Sequence, residues 1–142
     1  MKICHMTSAH SSEDVRIFYK ECISLAKAGY DVYEVARGAS YDKNGVHIVG
    51  IRDIPGSRLK RMTKGAKAVY KKALELDCDI YHFHDPELLP YGLKLKKHGK
   101  KVIFDSHENT LEQINEKTWV PDIVRKPLHY AFEKYQKRIC SQ

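Results

Sequence analysis

Alternation constrains this chain more than any other feature. Short apolar runs, each bounded by turn residues, take turns with longer segments whose apolar residues recur every three or four positions. Lys2 to Met6 reads as a first strand. Val15, Phe18, Cys22 and Leu25 then mark a helix, with Glu13 and Asp14 before it and Gly29 after it. A second strand covers residues 31–37, "GASYDKNG" has turn chemistry, and a third strand starts at Val46. Ser57 is placed to cap a long helix ending near Leu76. A fourth strand begins at Asp79, a helix spans Pro86 to Lys97, a fifth strand begins at Lys100, and an amphipathic helix spans Pro121 to Cys140.

Strands alternating with helices predict parallel βαβ units with right-handed crossovers and helices on both faces. The expected architecture is α/β, a Rossmann-like doubly wound parallel sheet of order 3-2-1-4-5. In that order strands 1 and 4 lie side by side, the chain leaves them in opposite directions, and a crevice opens beyond their carboxyl ends. The chain has 142 residues, enough for one domain with its own core. It stops without the sixth strand of the dinucleotide-binding sheet, which leads us to expect a piece of a larger protein, with a complete five-stranded flavodoxin-like domain as the alternative.

Composition narrows the classes further. Cys4, Cys22, Cys78 and Cys140 form no CxxC pair, so neither a zinc clip nor a disulfide scaffold is indicated, and a reducing cytoplasm fits best. No signal peptide and no membrane-spanning apolar stretch is recognisable. The net charge is +7, and its excess is local: between Arg52 and Lys72 eight basic residues face one acid, Asp53. Within that segment Lys60, Lys64, Lys67 and Lys71 are spaced as one helical stripe, with Leu59, Met62, Val69, Ala73 and Leu76 on the other side. Such a face suits an anionic bilayer surface, or it is simply solvated. Nucleic acid is not expected, because no aromatic residues interleave the stripe and no recognition motif adjoins it.

The chemistry gathers at the expected strand ends. His10 follows strand 1; His84, Asp85 and Glu87 follow strand 4; Asp105, His107 and Glu108 follow strand 5. Period two places His82 and His84 on one face, while Asp85 is positioned as N-cap of the helix that Pro86 opens. His82 also reads as a core histidine, Asp85 as a cap alone, and Glu108 as a residue that holds a neighbouring loop. "HFH" and "DSHE" together raise a zinc site, but no third histidine follows in close register, and no metal is expected. Ser106 lies in no G-x-S-x-G elbow, which argues against a hydrolase triad. After strand 1 the run "TSAHSSEDVRIF" lacks glycine, and no GKS or GKT occurs, so neither a dinucleotide loop nor a P-loop is present.

Two blocks, "EDVRIFYKECISLAKAGYDVYEVA" and "DIYHFHDPELLPYGLKLKKHGKKVIFDSHE", resemble the N-terminal half of GT-B-fold glycosyltransferases of retaining family 4. The resemblance covers essentially the whole chain, residues 1–142. It implies an enzyme of two Rossmann-like domains, of which this is the acceptor-side one and the nucleotide-sugar domain is missing from the chain. It also implies transfer from a nucleotide-sugar donor to a saccharide or lipid-linked acceptor, with no cofactor and no catalytic metal. By the same resemblance His107 reaches the transferred sugar and is the catalytic-site residue. His84, Asp85, Glu87 and His10 border the acceptor, and Arg16 and Glu108 are donor-side. The family's first loop usually bears glycines near the donor phosphates, and their absence here casts Arg16 as a substitute. Many such enzymes build cell-surface polysaccharides while docked on the cytoplasmic leaflet, which gives the lysine stripe a purpose. The rival readings are a sugar- or nucleotide-binding module without chemistry and a metal-dependent hydrolase.

Overall fold

A computed structural model of the chain describes residues 1–105, together with 130, 134 and 137; the side chains of 58, 59 and 61 lie outside the description. Contacts divide the chain into two units, Met1–Asp105 and Ser106–Gln142. In the second unit the described residues Tyr130, Lys134 and Lys137 are helical and exposed. The expected helix Pro121 to Cys140 otherwise lies outside the described residues, as do His107 and Glu108.

The first unit is a six-stranded sheet: β1 (Lys2–Ser11), β2 (Asp31–Arg37), β3 (Tyr41–Lys43), β4 (Val46–Ile51), β5 (Ile80–Phe83) and β6 (Lys101–Phe104). Their order is β3-β4-β2-β1-β5-β6. Every pairing is parallel except β3 with β4. The five parallel strands therefore reproduce the expected 3-2-1-4-5 order. The sixth corrects the reading of "GASYDKNG" as turn alone: Asn44 and Gly45 both take positive φ, 53° and 79°, the geometry of a tight hairpin turn that returns Tyr41–Lys43 along the edge of β4.

Two further expectations are adjusted. β1 runs past Met6 to Ser11, but its register with β2 breaks between those residues, so its last part departs from the regular ladder as it enters the crevice. The first helix, α1, is π-helical over Val15–Cys22 and α-helical over Ile23–Lys27. Five-residue spacing puts Ile17 and Cys22 on the buried face beside Phe18, and Val15 is left 66% exposed instead of joining the core. Asp14 caps this helix, its Oδ1 accepting from the backbone N–H of Arg16 at 2.9 Å and of Ile17 at 3.0 Å.

Helix α2 (Arg58–Leu76) starts as expected, with Ser57 Oγ accepting from Lys60 N at 3.3 Å. It ends at Asp77, which takes the left-handed conformation that glycine usually supplies. Its buried residues include Ala66, Val69 and Ala73, whereas Met62 faces solvent. Helix α3 opens with a 3-10 turn, Pro86–Leu88, and continues over Leu89–Lys97. Tyr81 ties α2 to β5, its hydroxyl donating to Ala73 O and accepting from Cys78 N. Gly92 lets α3 approach the Phe83 ring so closely that a Cβ there would sit 2.5 Å from it.

On the α1 side, strand register aligns Ile48, Glu34, His5, His82 and Ile103 in one row across β4, β2, β1, β5 and β6. Ile17, Phe18 and Cys22 pack on Val32, Val46 and Ile48 at one end of that face. Three ionisable residues thus interrupt the middle of an otherwise apolar row.

Candidate functional site

The first cluster stands where β1 and β5 end. Asp85 is only 3% exposed, and one of its oxygens organises the outgoing end of β1. Asp85 Oδ2 accepts from Thr7 Oγ1 at 2.8 Å, from Ser8 N at 2.6 Å and from Ala9 N at 3.2 Å. This corrects its expected side-chain capping role: Asp85 holds the N-cap position by backbone conformation, but its carboxylate makes no bond to the helix. The irregular end of β1 presents unpaired N–H groups, and a buried carboxylate that collects them gains more than it would from one capping bond.

Neighbours extend this junction. Ser8 Oγ donates to Glu87 Oε1 at 2.9 Å. His10 lies between two acids, its Nε2 3.4 Å from Asp85 Oδ1 and its Nδ1 3.6 Å from Asp14 Oδ2. Burial raises the Glu87 carboxyl above its ordinary range, and the charge of Asp85 adds to that. His10, Asp85 and Glu87 are therefore brought together, as the strand-end argument expected.

The second cluster lies one step down the same crevice. His84, 3% exposed, places its Nε2 3.3 Å from His5 Nδ1 and 3.6 Å from Glu21 Oε2. Glu21 Oε2 also stands 3.7 Å from His5 Nδ1 and 3.8 Å from His82 Nδ1. Arg16 connects this cluster to the crevice mouth: its Nε donates to Glu21 Oε1 at 3.2 Å, and its Nη2 pairs with Asp105 Oδ2. Asp105 Oδ2 in turn lies 3.6 Å from His84 Nδ1. The Arg16 side chain remains 46% exposed despite these two partners.

Environment sets the charges here. Burial, reinforced by His82 and His84, holds His5 well below the usual histidine range, so its imidazole is neutral. Burial lowers His82 too, against the opposing pull of Glu21 and Asp105. Beside His5 in the sheet, Glu34 is fully buried with neither carboxylate oxygen hydrogen-bonded among the described residues. Burial, with the nearby Asp14 and Glu13, pushes its pKa up to about 8.

Of the residues the sequence places after the strands, His10, Asp85 and Glu87 gather in the first cluster and His84 and Asp105 in the second, with Arg16 beside them; Thr7, Ser8, His5 and Glu21 join them without having been singled out. A signal for His5 existed: strands 1 and 4 of the expected order are neighbours, so a histidine in the first strand could oppose one in the fourth. Thr7 and Ser8 had none, because they become ligands of Asp85 only through the register break in β1. The predicted surface lysines, Lys60, Lys64, Lys67 and Lys71, are all exposed on α2.

The family model described as Glycosyltransferase Family 4 matches residues 15–142. No curated protein matches the chain. Among solved structures, sucrose-phosphate synthase from Thermosynechococcus elongatus is similar, with 14% sequence identity over 95% of this chain and a TM-score of 0.63. The present chain spans 39% of that protein's length. The likeness establishes the fold, a mostly parallel α/β sheet of the kind found in a GT-B glycosyltransferase.

Proposed function

The chain belongs to glycosyltransferase family 4, and from that premise we propose that it is the acceptor-side domain of an enzyme moving a sugar from a nucleotide-sugar donor to a saccharide or lipid-linked acceptor. The observation that carries the reading is the convergence of His10, Asp85 and Glu87 at the carboxyl ends of β1 and β5, with Arg16, Asp105 and the buried His84 in the neighbouring cluster. This is the crevice in which a doubly wound sheet binds its ligands.

Transfer from a nucleotide sugar builds positive charge on the sugar while a nucleoside diphosphate departs. The site must therefore offer polar groups to the sugar and positive charge to the phosphates. In our reading Asp85 and Glu87 border the acceptor hydroxyls, with His10 at their side, while His84, its side chain fully buried, stands behind them. Arg16, steadied by Glu21 and Asp105, turns its exposed part toward the donor phosphates and replaces the missing glycine loop. His107, at the transferred sugar, and Glu108, on the donor side, complete the assignment; both lie outside the described residues. A front-side reaction, in which the departing phosphate takes the acceptor proton, needs no protein nucleophile, cofactor or catalytic metal. A second Rossmann-like domain supplies the rest of the donor site.

The exposed stripe Lys60, Lys64, Lys67 and Lys71 docks the enzyme on the anionic cytoplasmic leaflet, where lipid-linked acceptors of cell-surface polysaccharide synthesis are found. The test is made on the complete gene product, incubated with a panel of nucleotide sugars while free nucleoside diphosphate is recorded. Release from one donor, lost in His107→Ala, is the expected result. A folded protein that binds a nucleotide sugar but releases nothing, with sugar and lipid acceptors supplied, is a binding module instead.

A further inference from the structure

The cluster of His5, Glu21, His82 and His84 calls for a role of its own. These residues come from β1, α1 and β5, and each offers one ligand atom such that all four atoms lie within 4.8 Å of one another. Four of the separations are 3.3, 3.6, 3.7 and 3.8 Å. The three that involve Glu21 Oε2 are too long for hydrogen bonds, and this buried oxygen has no hydrogen-bond partner among the described residues. An ion bound by imidazole and carboxylate at about 2.0–2.1 Å in tetrahedral geometry sets its ligands about 3.3–3.4 Å apart. Those four separations reach that spacing by closing a few tenths of an ångström at most, and the two between His82 and the other imidazoles, which lie within 4.8 Å, close by turning the His82 side chain at the rim inward.

We propose that His5, Glu21, His82 and His84 form a closed four-ligand site for a zinc ion that ties β1, α1 and β5 together. Three imidazoles and one carboxylate favour zinc over magnesium or calcium, which take all-oxygen shells. The surroundings of the ligands fit as well. Arg16 holds Glu21 by its other oxygen, which leaves Oε2 aimed at the imidazoles. Asp105 stands 3.6 Å from the far nitrogen of His84, where a carboxylate orients a ligating histidine. A groove lined by Ile3, His5, Glu21, Leu25, His82 and Ile103 gives the ion an entry path. Four protein ligands leave no open coordination position, so the site is structural, and the inference does not depend on the transfer reaction proposed above.

The test uses the complete chain, stripped with a chelator and titrated with Zn2+ alone by calorimetry. The comparison proteins are His82→Gln, Glu21→Gln and, as a surface control, His47→Gln. His82 lies at the rim of the cluster and Glu21→Gln keeps the bond to Arg16, so both variants are expected to fold, which circular dichroism checks. The expected result is one equivalent of Zn2+ and a raised thermal midpoint. Affinity should fall roughly tenfold or more in His82→Gln and Glu21→Gln, with His47→Gln unchanged. Co2+ in place of zinc should give the intense visible bands of a tetrahedral centre. Wild type that binds Zn2+ no more tightly than folded His82→Gln, or whose binding disappears only in His47→Gln, overturns the proposal.

Discussion

Thr7 Oγ1 donates to Asp85 Oδ2 across 2.8 Å, and this bond joins the end of β1 to the end of β5 although 78 positions separate the two residues. The same threonine oxygen accepts from His10 N at 3.0 Å. The path from Asp85 through Thr7 to His10 therefore fixes the first loop of the crevice to the second. One buried carboxylate sets where both walls stand.

Asp85→Ala should lower stability by about 2–3 kcal/mol, the range for losing charge-assisted hydrogen bonds and leaving buried donors unpaired. Ser8 N and Ala9 N lose their acceptor in this variant. Urea denaturation checks the value. A change under about 0.5 kcal/mol, within the range of ordinary surface substitutions, would show that the β1 terminus holds its shape without Asp85.

Gly92→Ala tests how tightly α3 lies on the sheet. Alanine gains about 1 kcal/mol over glycine in a helix interior. Against this, its Cβ would stand 2.5 Å from Phe83 Cε1 and 2.8 Å from Cζ, and Phe83 is itself stacked on Phe104 at 5.0 Å. Overpacking of this kind costs typically about 1–3 kcal/mol, so a net loss of stability is expected in place of the gain that helix propensity alone predicts. A thermal melt that rises would mean that Phe83 has room to turn aside.

The parallel strands and their order were legible because apolar runs and helical periodicity alternate without interruption from Lys2 to Phe104. β3 was not, since Tyr41–Lys43 has no apolar alternation and becomes a strand only by pairing with β4 after the Asn44–Gly45 turn. The helical face of α1 was misjudged at Val15 because a π-helical turn changes the spacing that periodicity assumes. At the site, residues that follow strands were readable from position alone. His5 was legible only through the expected pairing of strands 1 and 4, which sets it opposite His82, and Glu21 was not legible, since it meets its partners from a helix lying over the sheet.

The lysine stripe makes a membrane prediction. Each basic residue near an anionic surface contributes about 1 kcal/mol, so Lys64→Gln with Lys71→Gln should weaken binding to phosphatidylserine-containing vesicles about thirtyfold. Raising the salt concentration should have the same direction of effect on the unmodified protein. Vesicle co-sedimentation measures both. Equal sedimentation with neutral and anionic vesicles would leave α2 a solvated face.

Glu34 gives the pH dependence. Its carboxyl titrates at about 8 in the fold, raised from 4.5 chiefly by burial. Between those values the unfolded chain has released a proton that the folded chain still holds, so unfolding is increasingly favoured as pH rises. Each pH unit in that window costs the fold up to about 1.4 kcal/mol from this residue, and the cost levels off above the folded pKa. The thermal midpoint should therefore decline from pH 5 toward pH 8. Glu34→Gln keeps the shape and cannot ionise, so its midpoint should decline less over the same range and exceed that of the unmodified protein at pH 8. Parallel declines in the two proteins would assign the pH dependence to other groups and indicate that the Glu34 carboxylate is solvated or paired when charged.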